Sequence, residues 1–176
     1  MNKPNSFHDY ISCAEYLIAN RITHPNLLAA RGVSAGGMLV AQACLNMRPE
    51  LFRACILDVP FLDVLSCLLD PDLPLAKTDY LEFGDPLNDA KIYELISSYS
   101  PYDNLTRAEY PSLFLNLALN DPRVPGWSTL KFVEKMRDLA LPPTTVPHFG
   151  NNNMVVRINH EGGHFGSHAN DVNLFN

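Results

Sequence analysis

The sequence predicts an α/β protein whose open, mostly parallel sheet is covered by helices on both faces. Helical and strand-like segments alternate along the chain in the order helix, strand, helix, strand, helices, strand, helix, strand. The strand-like segments are short apolar runs, which are typical of strands buried on both faces of a parallel sheet. Alternation with short connections favours right-handed βαβ units. The 176 residues, 47% of them hydrophobic, are enough for the core of one domain.

The N-terminal part of the chain contains the first three predicted elements. Ser6 can cap a first helix that ends near Asn20, because apolar residues recur between them at helical spacing. The apolar stretch 27–31 is consistent with a strand. A glycine-rich passage at 32–37 follows, and a second helix is expected to end near Pro49.

The rest of the chain contains the remaining predicted strands and helices. Two compact apolar runs suit buried strands, at 54–59 and 113–119. Amphipathic spacing predicts two helices, at 90–98 and 127–139. Residues 140–153 combine three prolines with three consecutive asparagines, which predicts a long surface loop, and the last strand is expected at 154–158.

Charge and composition exclude several classes of partner. The net charge is -6 and no basic stripe is present, so nucleic acid is not expected as a partner. The first residues lack the apolar stretch of a secretory signal and no run is long enough to span a bilayer, so we expect a cytoplasmic protein without a membrane partner. The scattered cysteines are predicted to be small buried side chains rather than disulfides or ligands: Cys13, Cys44, Cys55 and Cys67.

A GxSxG motif lies between the first predicted strand and the second predicted helix. In that setting a sharp turn holds Ser34 in a strained backbone conformation, and Gly32 and Gly36 are expected to supply the room. The turn would raise the Ser34 hydroxyl above the sheet and place the Ala35 N–H at a helix N-terminus, where it can donate to an oxyanion. Ser34 is therefore predicted to be a nucleophile, with Ala35 in the oxyanion hole.

A serine nucleophile needs a base, and the base needs a carboxylate that fixes its tautomer. Asp121 follows the apolar run 113–119, at the carboxyl end of the predicted sheet, where catalytic groups gather in open α/β folds. His164 follows the last predicted strand, among glycines that leave its ring free to point inward. This chain order, serine then acid then histidine, is that of the α/β-hydrolase fold. The predicted triad is Ser34, Asp121 and His164.

Alternatives remain for these residues. Asp121 could simply cap a helix that begins near Pro125. Residues 160–164 also spell HExxH, a zinc-binding pattern, with His168 four residues further on. That pattern requires a helix, and each central glycine disfavours one by about 1 kcal/mol relative to alanine, so no metal is expected. The other candidate bases are less well placed than His164: His8, His24, His148, His160 and His168.

Seven short sequence words follow one another along the chain: Ser6-Phe7-His8-Asp9-Tyr10, Gly32-Val33-Ser34-Ala35-Gly36-Gly37, Arg48-Pro49-Glu50-Leu51-Phe52, Pro60-Phe61-Leu62-Asp63-Val64, Tyr99-Ser100-Pro101-Tyr102-Asp103-Asn104, Asn120-Asp121-Pro122-Arg123-Val124 and Gly163-His164. Together they resemble the catalytic domain of the prolyl oligopeptidase family, and most closely oligopeptidase B and the prolyl-endopeptidase-like proteins. The resemblance extends from about Asn5 to Gly166.

This resemblance implies a cytosolic serine-type endopeptidase of the α/β-hydrolase fold that cuts short peptides without a cofactor. In that family a β-propeller precedes the catalytic domain, together with the first strands of the sheet and a tyrosine that completes the oxyanion hole. Set against that arrangement, we expect residues 1–176 to begin after these parts and to end before the family's closing helix. We therefore expect residues 1–176 to be a partial catalytic domain, either a fragment of a longer product or a truncated form with an exposed sheet edge.

Two substrate-binding residues are also implied by the resemblance. Arg123 resembles the arginine that holds a substrate carbonyl, although it could equally be a solvated residue of a turn. Asp79 stands where oligopeptidase B has a carboxylate that faces a basic side chain, which favours cleavage after Arg or Lys. Leu81 stands where a second glutamate would be expected, and one carboxylate holds a basic group less strongly than two. Asp79 could also be only a surface acid.

Three hypotheses for function follow. The first is a serine endopeptidase that acts on short peptides through an acyl-enzyme on Ser34. The second is an esterase or other acyl hydrolase of the same fold, since fold and triad do not fix the acyl group. The third is a catalytically inactive fragment.

Overall fold

The sheet is the centre of the fold. The computed structural model describes residues 2–141 and 154–165. These form a four-stranded parallel sheet of order β1-β2-β3-β4, with β1 at Ala29–Val33, β2 at Ala54–Asp58, β3 at Ser112–Ala118 and β4 at Met154–Asn159. Asp58 of β2 lies beside Val33 and Asn116, and Asn116 in turn lies beside Arg157 of β4. The predicted open parallel sheet is confirmed.

Six α-helices are described: α1 (Lys3–Ala19), α2 (Ala35–Ala41), α3 (Val64–Leu68), α4 (Ala76–Phe83), α5 (Ala90–Ser97) and α6 (Gly126–Leu139). A π-helical segment at Gln42–Met47 continues α2, and a single 3₁₀ turn follows at Pro49–Leu51. The predicted alternation of helices and strands is confirmed. Within the described ranges, no helix has both the length and the apolar character that a bilayer span requires.

The start of α1 differs from the prediction. The helix begins at Lys3, so Ser6 lies inside it and does not cap it. Pro4 sits in the first turn, where its missing N–H costs no hydrogen bond and its fixed backbone angle suits the helix. The predicted apolar face is confirmed, because Phe7, Ile11 and Ala14 are buried.

The sequence gives no prediction for α3 and α4. Asp63 caps α3, and its carboxylate accepts a hydrogen bond from the Ser66 N–H at 3.4 Å. No side chain caps α4, which ends at Gly84 with φ 88°, a conformation that favours glycine. The Tyr80 hydroxyl donates to the Leu68 carbonyl at 2.9 Å and so joins α4 to α3. α3 has only five residues, and the separation of apolar from polar residues on α4 is weak, so neither helix shows a clear amphipathic period.

One face of the sheet carries the main hydrophobic core. Buried strand residues of this face pack against α1, α2 and α6: Ala30, Cys55, Leu57, Leu113 and Leu115. Right-handed connections between strands in sequential order place every connecting helix on the same face. On the opposite face the side chains are half-buried or exposed, as at Val33, Ile56, Phe114 and Val155. The second helical layer that the sequence predicts is therefore not among the described residues.

The cysteines follow the prediction at three positions of four. Cys44, Cys55 and Cys67 are buried, whereas Cys13 is exposed, and all four are free thiols. Burial raises the pKa of Cys67 to about 12, so this thiol stays protonated at neutral pH. Cys13 faces solvent because it lies two residues from Ile11, off the buried side of α1.

Candidate active site

Ser34 occupies a strained turn between β1 and α2. Its backbone angles are φ 55° and ψ -124°, a conformation that non-glycine residues rarely adopt. Four backbone hydrogen bonds hold it there. The Ser34 N–H donates to the Asp58 carbonyl at 3.0 Å, and the Ser34 carbonyl accepts from the N–H groups of Phe61 at 3.0 Å, Gly37 at 2.9 Å and Met38 at 3.3 Å. Strain of this kind costs about 1–3 kcal/mol and persists only where surrounding contacts enforce it.

Two glycines make this turn possible, and one of them differs from the prediction. A Cβ on Gly32 would lie 2.3 Å from the Gly36 carbonyl oxygen, so Gly32 must be glycine as predicted. A Cβ on Gly37 would lie 2.6 Å from the Cβ of Pro60. A Cβ on Gly36 would meet nothing within 4 Å, so the expectation that Gly36 supplies room is wrong. The room comes from Gly32 and Gly37.

Ala35 is the first residue of α2. The first N–H groups of a helix have no acceptor within it, and the helix dipole favours negative charge at that end. The backbone thus presents a donor directly after Ser34. The donor and the serine are neighbours in the chain because the nucleophile motif joins strand and helix with no intervening loop.

Asp121 and His164 form a buried hydrogen-bonded pair. The distance from His164 Nδ1 to Asp121 Oδ2 is 2.7 Å, and their side chains are 5% and 1% exposed. An ionised carboxylate can only accept, so the proton lies on Nδ1. In the neutral imidazole this leaves Nε2 with a free lone pair, which is the form that a general base requires.

The second oxygen of Asp121 fixes the orientation of its carboxylate. Oδ1 accepts hydrogen bonds from the Arg123 N–H at 2.8 Å and the Val124 N–H at 2.9 Å. The alternative that Asp121 simply caps a helix is therefore not what the geometry favours: α6 is flanked by Pro125 and has no side-chain cap. Asp121 accepts from the backbone through Oδ1 and contacts His164 through Oδ2, so one carboxylate makes both sets of hydrogen bonds.

The HExxH pattern does not form a metal site within residues 2–141 and 154–165. Residues 160–164 are irregular and do not form the helix that would align two imidazoles. No group of three metal-ligating side chains is found in these ranges. His160 is exposed, as is His8, and the Nδ1 of His24 accepts a hydrogen bond from the Asn26 N–H at 3.2 Å. His148, His168 and Gly166 lie outside the described residues.

Asp79 and Arg123 come within electrostatic range of each other. Asp79 is half-buried on α4, and its pKa lies above the ordinary value chiefly because of burial, with a smaller upward effect from the charge of Glu82. The charge of Arg123 acts in the opposite direction and lowers the pKa of Asp79. These two residues, far apart in the chain, are thus close enough for their charges to interact.

Phe165 is an exposed residue next to His164 that the sequence analysis does not single out. Its ring is 78% exposed and lies edge-on to the His164 imidazole, with centroids 5.1 Å apart. The Arg123 guanidinium lies 5.7 Å from the centre of the same ring. An exposed aromatic directly after the predicted histidine is the signal that could have identified it.

The sheet and the site together define the class of protein. A parallel sheet with a strained serine after β1 and a buried acid–histidine pair after β3 and β4 has the architecture of an α/β-hydrolase. Comparison with family models matches residues 1–175 to the prolyl oligopeptidase family. The chain belongs to this family, and the resemblance found in the sequence is confirmed.

Individual relatives agree with this assignment. Protease 2 of Moraxella lacunata is 40% identical over 165 residues, which cover 94% of this chain and 22% of that protein. Among solved structures, oligopeptidase B from Leishmania major has 40% identity and a TM-score of 0.82, over 90% of this chain and 21% of its own. Oligopeptidase B from Trypanosoma brucei, with covalently bound antipain, has 38% identity and a TM-score of 0.83, over 92% and 21%. The chain thus spans about a fifth of the length of these relatives.

Proposed function

We propose that the chain contributes the catalytic machinery of a serine-type endopeptidase that hydrolyses short peptides. The observation on which this mainly rests is the buried 2.7 Å hydrogen bond between Asp121 and His164 at the carboxyl edge of the sheet. The strained turn of Ser34 ends β1 at the same edge. Membership of the prolyl oligopeptidase family and the antipain bound covalently to a relative support peptide chemistry.

In the proposed mechanism, Ser34 Oγ attacks the carbonyl carbon of the scissile bond while His164 Nε2 takes the hydroxyl proton. The Asp121 carboxylate stabilises the imidazolium, and the Ala35 N–H donates to the oxyanion. The intermediate collapses as His164 gives its proton to the leaving amine, which breaks the peptide bond and leaves an ester on Ser34. Water then attacks this ester with His164 again as base, releasing the acid and restoring the hydroxyl.

Arg123 and Asp79 are the proposed substrate-binding residues. The exposed Arg123 would donate to a substrate carbonyl, and Asp79 would pair with a basic side chain on the acyl side of the cleaved bond. The half-buried position of Asp79 supports this role, because a charge pair is worth more where water is partly excluded. The proximity of Arg123 reduces the net negative field of Asp79, so we propose only a moderate preference for Arg or Lys.

A fluorophosphonate probe tests the proposal directly, since it reacts with serines that a base activates. We expect the folded chain to be labelled, and labelling to disappear in Ser34→Ala. Ser98→Ala is a matched control, because Ser98 is an exposed serine at the C-terminal end of α5. A folded wild-type chain that takes no label would overturn the proposal in favour of an inactive fragment.

A second measurement separates peptidase from esterase activity. Hydrolysis of a short peptide with Arg before the scissile bond should exceed that of the same peptide with Glu there, and Asp79→Asn should narrow the difference. Labelled protein that cleaves a short-chain ester but no peptide would favour the acyl-hydrolase alternative.

A further inference from the structure

The loops after β3 and β4 are joined by more than the Asp121–His164 contact. The Leu119 N–H donates to the Asn159 carbonyl at 3.0 Å, which continues the ladder one step past the end of β3. Directly after it, the Asn120 side-chain amide donates through Nδ2 to the His160 carbonyl at 2.9 Å. Both loops therefore leave the sheet side by side.

Asn159 folds the second of these loops back towards the first. Its side-chain Oδ1 accepts hydrogen bonds from the Glu161 N–H at 3.1 Å and the Gly162 N–H at 2.9 Å. A Cβ on Gly162 would lie 2.3 Å from the Asn159 Nδ2, so the backbone approaches this side chain closely. A Cβ on Gly163 would lie 3.6 Å from the Asn120 carbonyl oxygen, which places the returning chain against the loop that carries Asp121.

We propose that Asn120 and Asn159 are positioning residues that hold His164 against Asp121. This inference rests on the proposed role of those two residues as base and acid. Asn159 acts as an acceptor that shapes the turn, whereas Asn120 acts as a donor that fastens the turn to the neighbouring loop. The side chains of both asparagines bond to backbone groups of the loop 159–164, so each acts through the backbone that carries His164.

Because Asn159 accepts hydrogen bonds and Asn120 donates one, replacing each by Asp adds the same charge but removes only the hydrogen bond of Asn120. Asp can replace Asn as an acceptor but cannot donate when ionised. Asn159→Asp should therefore retain the turn and label with fluorophosphonate at a rate within about twofold of wild type. Asn120→Asp would set a carboxylate against the His160 carbonyl, and we expect the labelling rate to fall about 10- to 100-fold, as for a small misplacement of a catalytic group. Both variants add one negative charge beside the same site.

An NMR measurement tests whether the fall in labelling rate comes from a displaced His164. The proton on His164 Nδ1, hydrogen-bonded to a carboxylate, should give a low-field NMR resonance that disappears in His164→Gln. We expect this resonance to persist in Asn159→Asp and to weaken in Asn120→Asp and in Asn159→Ala, with thermal unfolding showing that each variant is folded. If Asn159→Ala does not fold, Asn159→Leu takes its place, because it removes the acceptor but keeps side-chain volume, and an unchanged resonance in the folded variant would contradict the role of Asn159.

Two results would overturn the inference. Equal loss of the resonance in both Asp variants would indicate an effect of charge, and an unchanged resonance in Asn120→Asp would show that the donor does not hold the histidine. The resonance does not depend on turnover, so it reports on the asparagines even if the wild-type chain takes no label. A folded wild-type chain that fluorophosphonate does not label would contradict the proposed function. Either of the two resonance results above would contradict only the positioning role of the asparagines.

Discussion

The two parts of the candidate site are built in different ways. The Ser34 turn is made from consecutive residues, and backbone hydrogen bonds together with the close approach of Gly32 to Gly36 hold it. The acid–base pair joins residues 43 positions apart through side-chain hydrogen bonds. The turn is therefore sensitive to added atoms, whereas the pair is sensitive to removed hydrogen-bonding groups. A local motif can encode the first, but only the folded sheet can assemble the second.

The largest expected effect tests the acid–base pair. In Asp121→Asn the amide oxygen can still accept from Arg123 and Val124, so the fold should persist, but the amide nitrogen would then face His164 and favour the wrong tautomer. We expect the fluorophosphonate labelling rate to fall by about 10⁴-fold, the order found when a triad aspartate becomes asparagine. Labelling within about tenfold of wild type, in a folded variant, would mean that Asp121 is not the acid.

The Ser34 turn gives a smaller effect that is measured as stability. Gly32→Ala would push a Cβ to 2.3 Å from a backbone oxygen, and the backbone cannot give way cheaply. We expect a loss of about 3 kcal/mol in the free energy of unfolding, from denaturant titration. Gly36→Ala is the matched control, because nothing lies within 4 Å of its added Cβ. Equal stability of the two variants would contradict this account of the turn.

The smallest effect concerns Asp79 on α4, whose carboxyl group lies within electrostatic range of Arg123. Burial raises the pKa of Asp79 in the folded protein. A raised folded pKa means that the ionised carboxylate opposes folding at neutral pH, while below the ordinary aspartate pKa both states are protonated and the penalty is absent. Asp79→Asn should therefore raise the Tm slightly, by no more than about 2 °C, at pH 7 and leave it unchanged at the acid end.

A second variant sharpens the prediction for Asp79. The charge of Arg123 lowers the pKa of Asp79 and so partly offsets the penalty. In an Arg123→Gln background the Tm gain of Asp79→Asn at pH 7 should be larger. A gain that is the same at every pH would show that lost packing or hydration, rather than charge, is responsible.

The parts of the fold that the sequence predicts well are those with strong local signals. Apolar runs identify all four strands to within two residues, and the amphipathic spacing of α6 identifies that helix to within one. Short helices without such spacing, α3 and α4, go unpredicted. The start of α1 is misplaced because the Ser6 capping signal competes with Pro4, and the proline determines the first turn.

The same distinction holds for the candidate site. The GxSxG motif predicts the turn of Ser34, while the assignment of space to Gly36 rather than Gly37 fails, because Pro60 from a different part of the chain fills the space beside Gly37. The sequence favours His164 among several candidate bases by its position after the last strand, and the hydrogen bond to Asp121 supports that choice. Asn159 and Phe165 belong to none of the sequence motifs, and Asn120 appears only as the first residue of the Asn120-Asp121-Pro122-Arg123-Val124 motif, with no predicted role.

By itself, the sequence determined the alternation of strands and helices, the nucleophile motif and the membership of a peptidase family, because these depend on residue types at short spacing. The tertiary structure decided which face of the sheet the described helices cover, how His164 reaches Asp121 and how two asparagines join their loops. Those outcomes depend on the register of parallel strands, which brings the ends of distant segments to one edge. Spacing along the chain does not contain that information.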